Sequence, residues 1–418
     1  MQNKTSFHKA LSWEELSKYI LEEQDREEGI TNPYALIRLF GQEKDQVRVT
    51  LYRDNHAWCP YCQKVWLWLE WKRIPYEVKK ATMRCYGKKE PWYLKKVPSG
   101  IFPAIELDSK LITESDQILL NLEKVFGTLG MPLEKPEILD LRNLERKLFR
   151  AWCIWLCNPS FSKGQAVRKE EQFKLIAQEV DDRISKTTCQ WLDPSIENSR
   201  KSFPGSVDVV FIPYLERMNA SLSYYKGFEL RKEFSNIDNW FKALELLDEY
   251  RGTQGDFHTH AHDLPPQMGG CWSDNNKHQK LLSHQIDIGY GLGEKETTYQ
   301  SSKADRPSRI ALKRVLKHRD QIKKVNPLDD ELFDQPLRAA LSKMIHKQDF
   351  TPTKGSALGL RYLRDRVSVP RDMPLLAARE LRKALEETAQ IDGPIQGPSI
   401  PIKNRFDQNP LNFSRQSQ

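Results

Sequence analysis

A pair of cysteines, Cys59 and Cys62, lies between a strand-like and a helix-like segment, and this arrangement constrains the fold more than any other feature. In the segment 47–51, apolar residues alternate with polar or charged ones, which predicts a strand. Pro60 suits the first position of a helix, where its missing N–H costs nothing. The sequence therefore predicts that Cys59 lies at a helix N-terminus.

This position favours thiolate chemistry at Cys59. The free N–H groups and the positive dipole end of a helix stabilise an anion, and cysteines of CxxC pairs have pKa values of roughly 3.5–7.5. Cys62 follows one helical turn later, so it is placed to attack a mixed disulfide formed at Cys59. Two other readings stay open: a structural pair, and half of a zinc site. Cys85 could serve that zinc site, but the sequence has no second CxxC or CxxH. We therefore favour redox or transferase chemistry and predict no bound metal.

Three further segments are expected near the same thiol. A predicted strand opens at Phe102-Pro103, and a predicted helix begins at Glu114-Ser115. A helix N-terminus binds carboxylates, and Glu114 could pair with an ammonium group beside one. Lys89 would supply a cation near this edge. Simpler interpretations stay open for two of these segments: ordinary helix capping at Glu114-Ser115 and a solvated surface at Lys89.

The order of the predicted elements indicates a small α/β unit with a mixed sheet, followed mainly by helices. A chain of 418 residues is long enough for two or three domains. The predicted divisions are a helical N-terminal extension over 1–46, an α/β domain over 47–128, an all-helical domain over 134–251, a His- and Gly-rich loop or linker over 252–306, a helical C-terminal extension over 307–390 and an extended tail over 391–418.

At this point a family resemblance is visible. The stretch 49–126 resembles the N-terminal domain of cysteine-type glutathione transferases, the omega, lambda and dehydroascorbate-reductase-like classes. The run Cys59-Pro-Tyr-Cys62 is also the motif typical of glutaredoxins. The stretches 207–217 and 239–243 resemble the helical half of the transferases. The resemblance implies a thioredoxin-like α/β domain, then an all-α glutathione-transferase domain, with a helical C-terminal extension that ordinary members lack.

The resemblance also implies roles for individual residues. Cys59 would be the catalytic thiol and glutathione its cosubstrate, with Cys62 or a second glutathione as the resolving thiol. The implied glutathione-binding residues are Lys89, Phe102, Pro103, Glu114 and Ser115. Lys89 would face the glycyl carboxylate. Phe102 and Pro103 would bind the cysteinyl backbone at a cis proline, and Glu114 and Ser115 would bind the γ-glutamyl end.

The predicted function is therefore a glutathione-dependent thioltransferase or oxidoreductase that forms a glutathione mixed disulfide at Cys59. Its second substrate would be a small electrophile or disulfide, reduced in a disulfide, quinone-adduct or dehydroascorbate-type reaction. Two alternatives stay open. The fold could be a non-catalytic binding scaffold whose C-terminal extension docks a partner, or the protein could be a dithiol oxidoreductase that needs Cys62 and not glutathione.

Composition limits the partners and the compartment. The net charge of +8 is spread over the chain rather than gathered in one tract, which argues against nucleic-acid binding. The longest apolar run, over 207–215, is too short to span a bilayer, and the N-terminus has no apolar signal core. We predict a cytoplasmic protein without membrane contact, and a homodimer is open because this fold often dimerises.

A separate question concerns His258, His260 and His262, which alternate along the predicted loop. On an extended segment, alternating side chains would point to one side and could bind a transition metal. The simpler reading is a polar loop whose histidines form hydrogen bonds.

Overall fold

The protein is described by a computed structural model that covers residues 8–22, 25–196 and 203–394. A five-stranded mixed sheet with helices forms its N-terminal part. The elements there are α1 (Trp13–Ser17), β1 (Ile37–Arg38), β2 (Val49–Asp54), α2 (Pro60–Lys72), β3 (Tyr76–Ala81), α3 (Pro91–Lys96), β4 (Ala104–Leu107), β5 (Lys110–Thr113) and α4 (Ser115–Phe126). The strand order is β1-β3-β2-β4-β5. Only the β2–β3 pair is parallel among these strands.

The rest of the described chain is helical. Its elements are α5 (Pro136–Cys157), α6 (Lys163–Ser185), α7 (Ser206–Lys226), α8 (Leu230–Glu233), α9 (Ser235–Leu244), α10 (Asp248–Thr253), α11 (Phe257–Met268), α12 (Lys277–Asp287), α13 (Arg306–Val325), α14 (Asp330–His346), α15 (Ala357–Arg366) and α16 (Leu375–Asp392). The predicted fold class is thereby confirmed: a thioredoxin-like α/β domain, then an all-α domain, then a helical extension. None of the helices in the described ranges is long and apolar enough to cross a membrane.

The α/β domain and the all-α domain are joined through α2. This helix is buried on nearly every side, as expected of one with apolar residues all round. Trp68 is fully buried, and its indole N–H donates a hydrogen bond to the Ser206 hydroxyl at 3.1 Å, at the start of α7. Cys59 immediately precedes α2, so the thiol lies at the start of a helix that contacts both domains.

The prediction of a loop or linker over 252–306 is wrong for much of that segment, which contains α11 and α12. The Asp256 side chain accepts a hydrogen bond from the Thr259 N–H at 2.9 Å and so caps α11. Burial of Phe257 and Leu264 stabilises the helix although its sequence has low helix propensity.

The two chain ends also differ from expectation. In the described part of 1–46, α1 is a single short helix and β1 joins the sheet. The predicted tail over 391–418 begins inside α16, and 395–418 lie outside the described residues. The domain boundaries themselves stay predictions.

Two large hydrophobic cores organise the described part of the molecule. The larger core is continuous through the sheet, the all-α domain, α11 and α12. The smaller core is formed by α13 to α16 and includes Leu16 of α1, which is fully buried. The N-terminal and C-terminal extensions therefore share one core, although more than 250 residues separate them in sequence.

Candidate active site

Cys59 occupies the N-cap of α2, as the sequence predicts. Its carbonyl accepts the first helical hydrogen bond, from the Gln63 N–H at 3.0 Å. The connection from β2 is tight: Ala57 has a φ of 54°, and the Trp58 N–H donates to Asp54 Oδ2 at 2.7 Å. Cys59 is 7% exposed and is therefore largely buried.

Cys62 and Asp54 lie beside Cys59. The two sulfurs and one Asp54 oxygen all lie within 4.8 Å of one another, and all three residues are buried. Burial raises the pKa of Cys62 well above the usual range, and a hydrogen bond with Cys59 and the charges of Cys59 and Asp54 raise it further. Two thiols and a carboxylate at this spacing can act as a redox pair with a neighbouring proton acceptor, or as three metal ligands.

Phe102 and Pro103 immediately precede β4, whose first residue, Ala104, pairs with Tyr52 near the end of β2 that carries Asp54. The peptide bond between them is cis. The Phe102 ring packs on Tyr93 of α3 at 4.7 Å between ring centroids, and the Tyr93 hydroxyl donates to the Ile101 carbonyl at 2.7 Å. These contacts hold the Phe102 ring and the backbone that precedes it.

Lys89 belongs to the same group rather than to a solvated surface. Its ammonium lies 3.5 Å from the centroid of the Phe102 ring and donates to the Thr82 carbonyl at 3.1 Å. Burial lowers the pKa of Lys89, while the nearby thiols of Cys62 and Cys59 act in the opposite direction. The structure thus brings a half-buried cation to the edge of the thiol pair.

Glu114 and Ser115 form the N-terminus of α4. Glu114 has a φ of 64°, a left-handed conformation that non-glycine residues rarely adopt. Its side chain makes no capping hydrogen bond, so simple helix capping does not account for it. Ser115 is the first helical residue and is buried. Unusual backbone conformations of this kind concentrate at functional sites.

Trp58, the neighbour of Cys59, is held by residues that no pattern in the sequence reveals. The Trp58 indole N–H donates to His260 Nδ1 of α11 at 3.1 Å. The Arg217 guanidinium of α7 lies 4.7 Å from the indole centroid and donates to the Trp58 carbonyl. His260 is fixed in turn by Glu216, at 2.7 Å. No spacing pattern links these residues to Cys59, because the contacts span more than 150 positions.

The three alternating histidines do not lie on one side of an extended segment, since α11 is a helix; His258 and His262 are one turn apart on it, with ring centroids 4.6 Å apart. His262 Nε2 lies 2.8 Å from Asp287 Oδ1, and His258 Nε2 lies 3.9 Å from Asp365 Oδ1. His260 pairs with Glu216, as stated above. Across the described ranges, the sole cluster of three potential metal ligands is the one around Cys59.

Comparison with known proteins agrees with this geometry. Residues 58–125 match the family model of the glutathione S-transferase N-terminal domain. Glutathione S-transferase DHAR2 of Arabidopsis thaliana is 24% identical over 205 residues, which cover 47% of this chain and 84% of the relative. The probable cytosolic glutathione S-transferase DHAR1 of Oryza sativa subsp. japonica is 25% identical over 202 residues, covering 48% and 86%.

Among solved structures, the dehydroascorbate reductase of Chlamydomonas reinhardtii aligns with a TM-score of 0.40 and 21% identity, covering 50% of this chain and 93% of that one. The family match begins at Trp58 and ends at Val125, so it contains the thiol pair, the cis proline and the start of α4. The resemblance drawn from the sequence is confirmed: residues 58–125, which include Cys59, match the glutathione S-transferase N-terminal domain.

Proposed function

We propose that this protein is a glutathione transferase of the thioltransferase type, with Cys59 as the reacting thiol. The observation that carries the proposal is the placement of Cys59 at the N-cap of α2, with the Cys62 thiol beside it. The family match and the curated relatives support this enzyme class and support glutathione as the cosubstrate.

The reaction begins when the Cys59 thiolate attacks the glutathione sulfur of a mixed disulfide. The S–S bond breaks, the other thiolate leaves and takes up a proton, and a disulfide forms between Cys59 and glutathione. A second glutathione thiolate then attacks that glutathione sulfur, which releases glutathione disulfide and restores the Cys59 thiolate. Disulfides, quinone adducts and dehydroascorbate differ in the group that accepts the electron pair.

The surrounding residues suit a bound glutathione. In this proposal the backbone at Phe102 and Pro103 pairs with its cysteinyl unit, as an added strand does at a sheet edge. The γ-glutamyl end binds at the α4 N-terminus, where the Ser115 hydroxyl and the N–H groups of the first helical turn donate hydrogen bonds to its carboxylate and Glu114 pairs with its ammonium. Lys89 provides the cation for the glycyl carboxylate, since its ammonium already lies on the Phe102 ring.

The test is the reduction of a small glutathione mixed disulfide by purified protein. We expect Cys59→Ser to lose at least about a hundredfold in rate, because a hydroxyl at this position is not ionised. Cys62→Ser should keep most of the activity when a second glutathione resolves the intermediate. Cys189→Ser, which removes a buried cysteine of the all-α domain, is the matched control and should leave the rate unchanged. Full activity in Cys59→Ser would refute the proposal.

A non-catalytic scaffold is the second candidate, and the low exposure of Cys59 is the observation that favours it. The intact mass of the protein after incubation with glutathione disulfide distinguishes a thioltransferase from a scaffold. A thioltransferase gains one glutathione in the Cys62→Ser variant and none when Cys59 is also replaced. A scaffold with an inaccessible thiol gains none in either.

The compartment and the assembly stay predictions. The relatives include a rice protein named as cytosolic and an Arabidopsis protein named as chloroplastic, so we propose a cytoplasmic location on the sequence alone. Light scattering during size-exclusion chromatography would test for a homodimer.

A further inference from the structure

A cavity of about 460 Å³ lies between the loop that precedes Cys59 and the C-terminal extension. Asn55 and His56 of that loop form one wall, while α13, α15, α16 and the segment 366–373 form the others. Ligand pockets typically measure 300–1,000 Å³. Close-packed interiors rarely contain empty spaces of this size, because large voids destabilise a fold.

Most of the cavity surface is apolar. The inner part of the cavity is lined by buried side chains of α13, α15, α16 and the segment that joins α15 to α16. These side chains are Val315, Leu363, Val367, Met373 and Leu381. His318 and Gln321 also line the cavity and are exposed, so they mark its opening to solvent. A ligand with an apolar body would therefore enter beside α13 and bury that body against the smaller core.

Charged groups at the cavity are mostly positive. Arg314, Arg366 and Arg371 line it, and Asp372 is the only carboxylate residue that lines it within the described chain. That carboxylate is already engaged, since Arg371 binds both of its oxygens, at 2.8 and 2.7 Å. Three guanidinium groups and one carboxylate line the cavity, so positive charge predominates among its lining residues.

Two of these arginines are held in place. Arg314 lies with its guanidinium 3.9 Å from the centroid of the Tyr34 ring and donates through Nε to the Asp372 carbonyl at 2.7 Å. The Arg366 guanidinium lies 4.1 Å from the centroid of the Tyr362 ring. Planar guanidinium groups fixed by aromatic rings are suited to the bidentate recognition of carboxylate or phosphate.

We propose that this cavity is a binding site for a small organic anion with an apolar body, such as a medium-chain carboxylate. The apolar wall would bury the chain, and the arginines would bind the charged end. The site is formed mainly by the extension and does not depend on the thiol chemistry of Cys59, although it shares Asn55 and His56 with the connection between β2 and Cys59.

The experiment is isothermal titration of the full chain with decanoate, carried out in a Cys59→Ser background. We expect one decanoate per chain, and binding of the uncharged analogue 1-decanol weaker by at least about tenfold, because it cannot form charge-assisted hydrogen bonds. Absence of saturable decanoate binding, or equal affinity for the two compounds, would overturn the proposal.

Three variants locate the site. Arg366→Gln should weaken decanoate binding about tenfold by removing one guanidinium. Ile322→Trp should abolish binding by filling the cavity, which Ile322 lines. The matched control is Arg319→Gln, on the same helix but paired with Asp320 outside the cavity, and it should bind like the parent. If Arg366→Gln and Ile322→Trp, each folded by circular dichroism, both bind like the parent, the proposed site is wrong.

Discussion

Asp54 is the residue beside Cys59 whose environment most needs an explanation. It is fully buried, and one of its oxygens accepts the Trp58 N–H, while no hydrogen-bond partner is found for the other among the described residues. A buried carboxyl oxygen without a partner destabilises a fold. Asp54 lies beside Cys62, and its negative charge opposes ionisation of that thiol.

We therefore predict that Asp54→Asn lowers the pKa of Cys62. Asparagine keeps the shape and an oxygen for the Trp58 N–H, but it removes a negative charge that raises the pKa of Cys62. The measurement is the pH dependence of Cys62 alkylation in a Cys59→Ser background. The midpoint should fall by on the order of one pH unit.

Asp116→Asn is the control for this effect, because the Asp116 carboxylate pairs with Lys64 and Arg142 instead. Its alkylation midpoint should match that of the parent. An unchanged or higher midpoint in Asp54→Asn would show that the Asp54 charge does not act on Cys62.

The residues around the thiol differ in how far sequence could reveal them. Cys59 follows from a local pattern of strand, proline and helix, and the cis bond at Pro103 follows from the family resemblance. Asp54 belongs to the same local stretch but gives no signal, because an aspartate at a strand end is common. His260 could not be found at all, since its contact with Trp58 exists only after α11 has packed on α7.

At the scale of elements, α11 shows where sequence patterns mislead. Its residues include three histidines and the pair Pro265-Pro266, and such a composition predicts a loop. The helix forms because tertiary contacts outweigh propensity: the Asp256 cap begins it, and nearly all of its side chains are buried. The histidines are then placed inside the protein, where each needs a polar partner.

This burial makes His260 a stability determinant, and we predict that His260→Ala lowers the free energy of unfolding by about 2–4 kcal/mol. The substitution leaves the Trp58 indole N–H without its acceptor and removes one partner of Glu216 inside the protein. Urea unfolding followed by tryptophan fluorescence measures the change.

The matched control is His278→Ala. This histidine also pairs with a glutamate, Glu229 at 3.0 Å, but its side chain is 52% exposed, so the loss should stay below about 0.5 kcal/mol. Equal losses in the two variants would mean that the contact between α11 and the loop before Cys59 contributes nothing particular to stability.

At the scale of the whole molecule, the two cores meet at the N-terminus of α11. The Asp256 carboxylate caps that helix and also binds Arg382 of α16, and the Thr259 hydroxyl accepts the Val369 N–H at 3.0 Å. These contacts join the smaller core, which includes the terminal extensions, to the larger core that carries Cys59. The all-α domain and the extension should therefore unfold together rather than one after the other.

Asp256 provides the test of this connection. Burial alone would raise its pKa, but Arg382, His258 and the Thr259 hydrogen bond lower it from 3.8 to about 2. A carboxyl whose pKa is lower in the folded than in the unfolded state adds stability above its unfolded pKa, and this is lost as the pH falls through the folded pKa. The difference between the unfolded and the folded pKa corresponds to about 2 kcal/mol in the free energy of unfolding at neutral pH.

We predict that Asp256→Asn, which keeps a good helix cap but removes the charge, lowers the free energy of unfolding by about 2 kcal/mol at pH 7. The difference from the parent should be constant above about pH 5 and should shrink as the pH falls from 3.8 toward 2, because the parent then loses the same charge. Urea unfolding at pH 7, 5, 4 and 3 measures this difference.

The control is Asp305→Asn, which removes a largely exposed partner of Arg309 and should change stability by less than about 0.5 kcal/mol at every pH. A difference for Asp256→Asn that does not decline in acid would mean that the Asp256–Arg382 ion pair is not what joins the two cores.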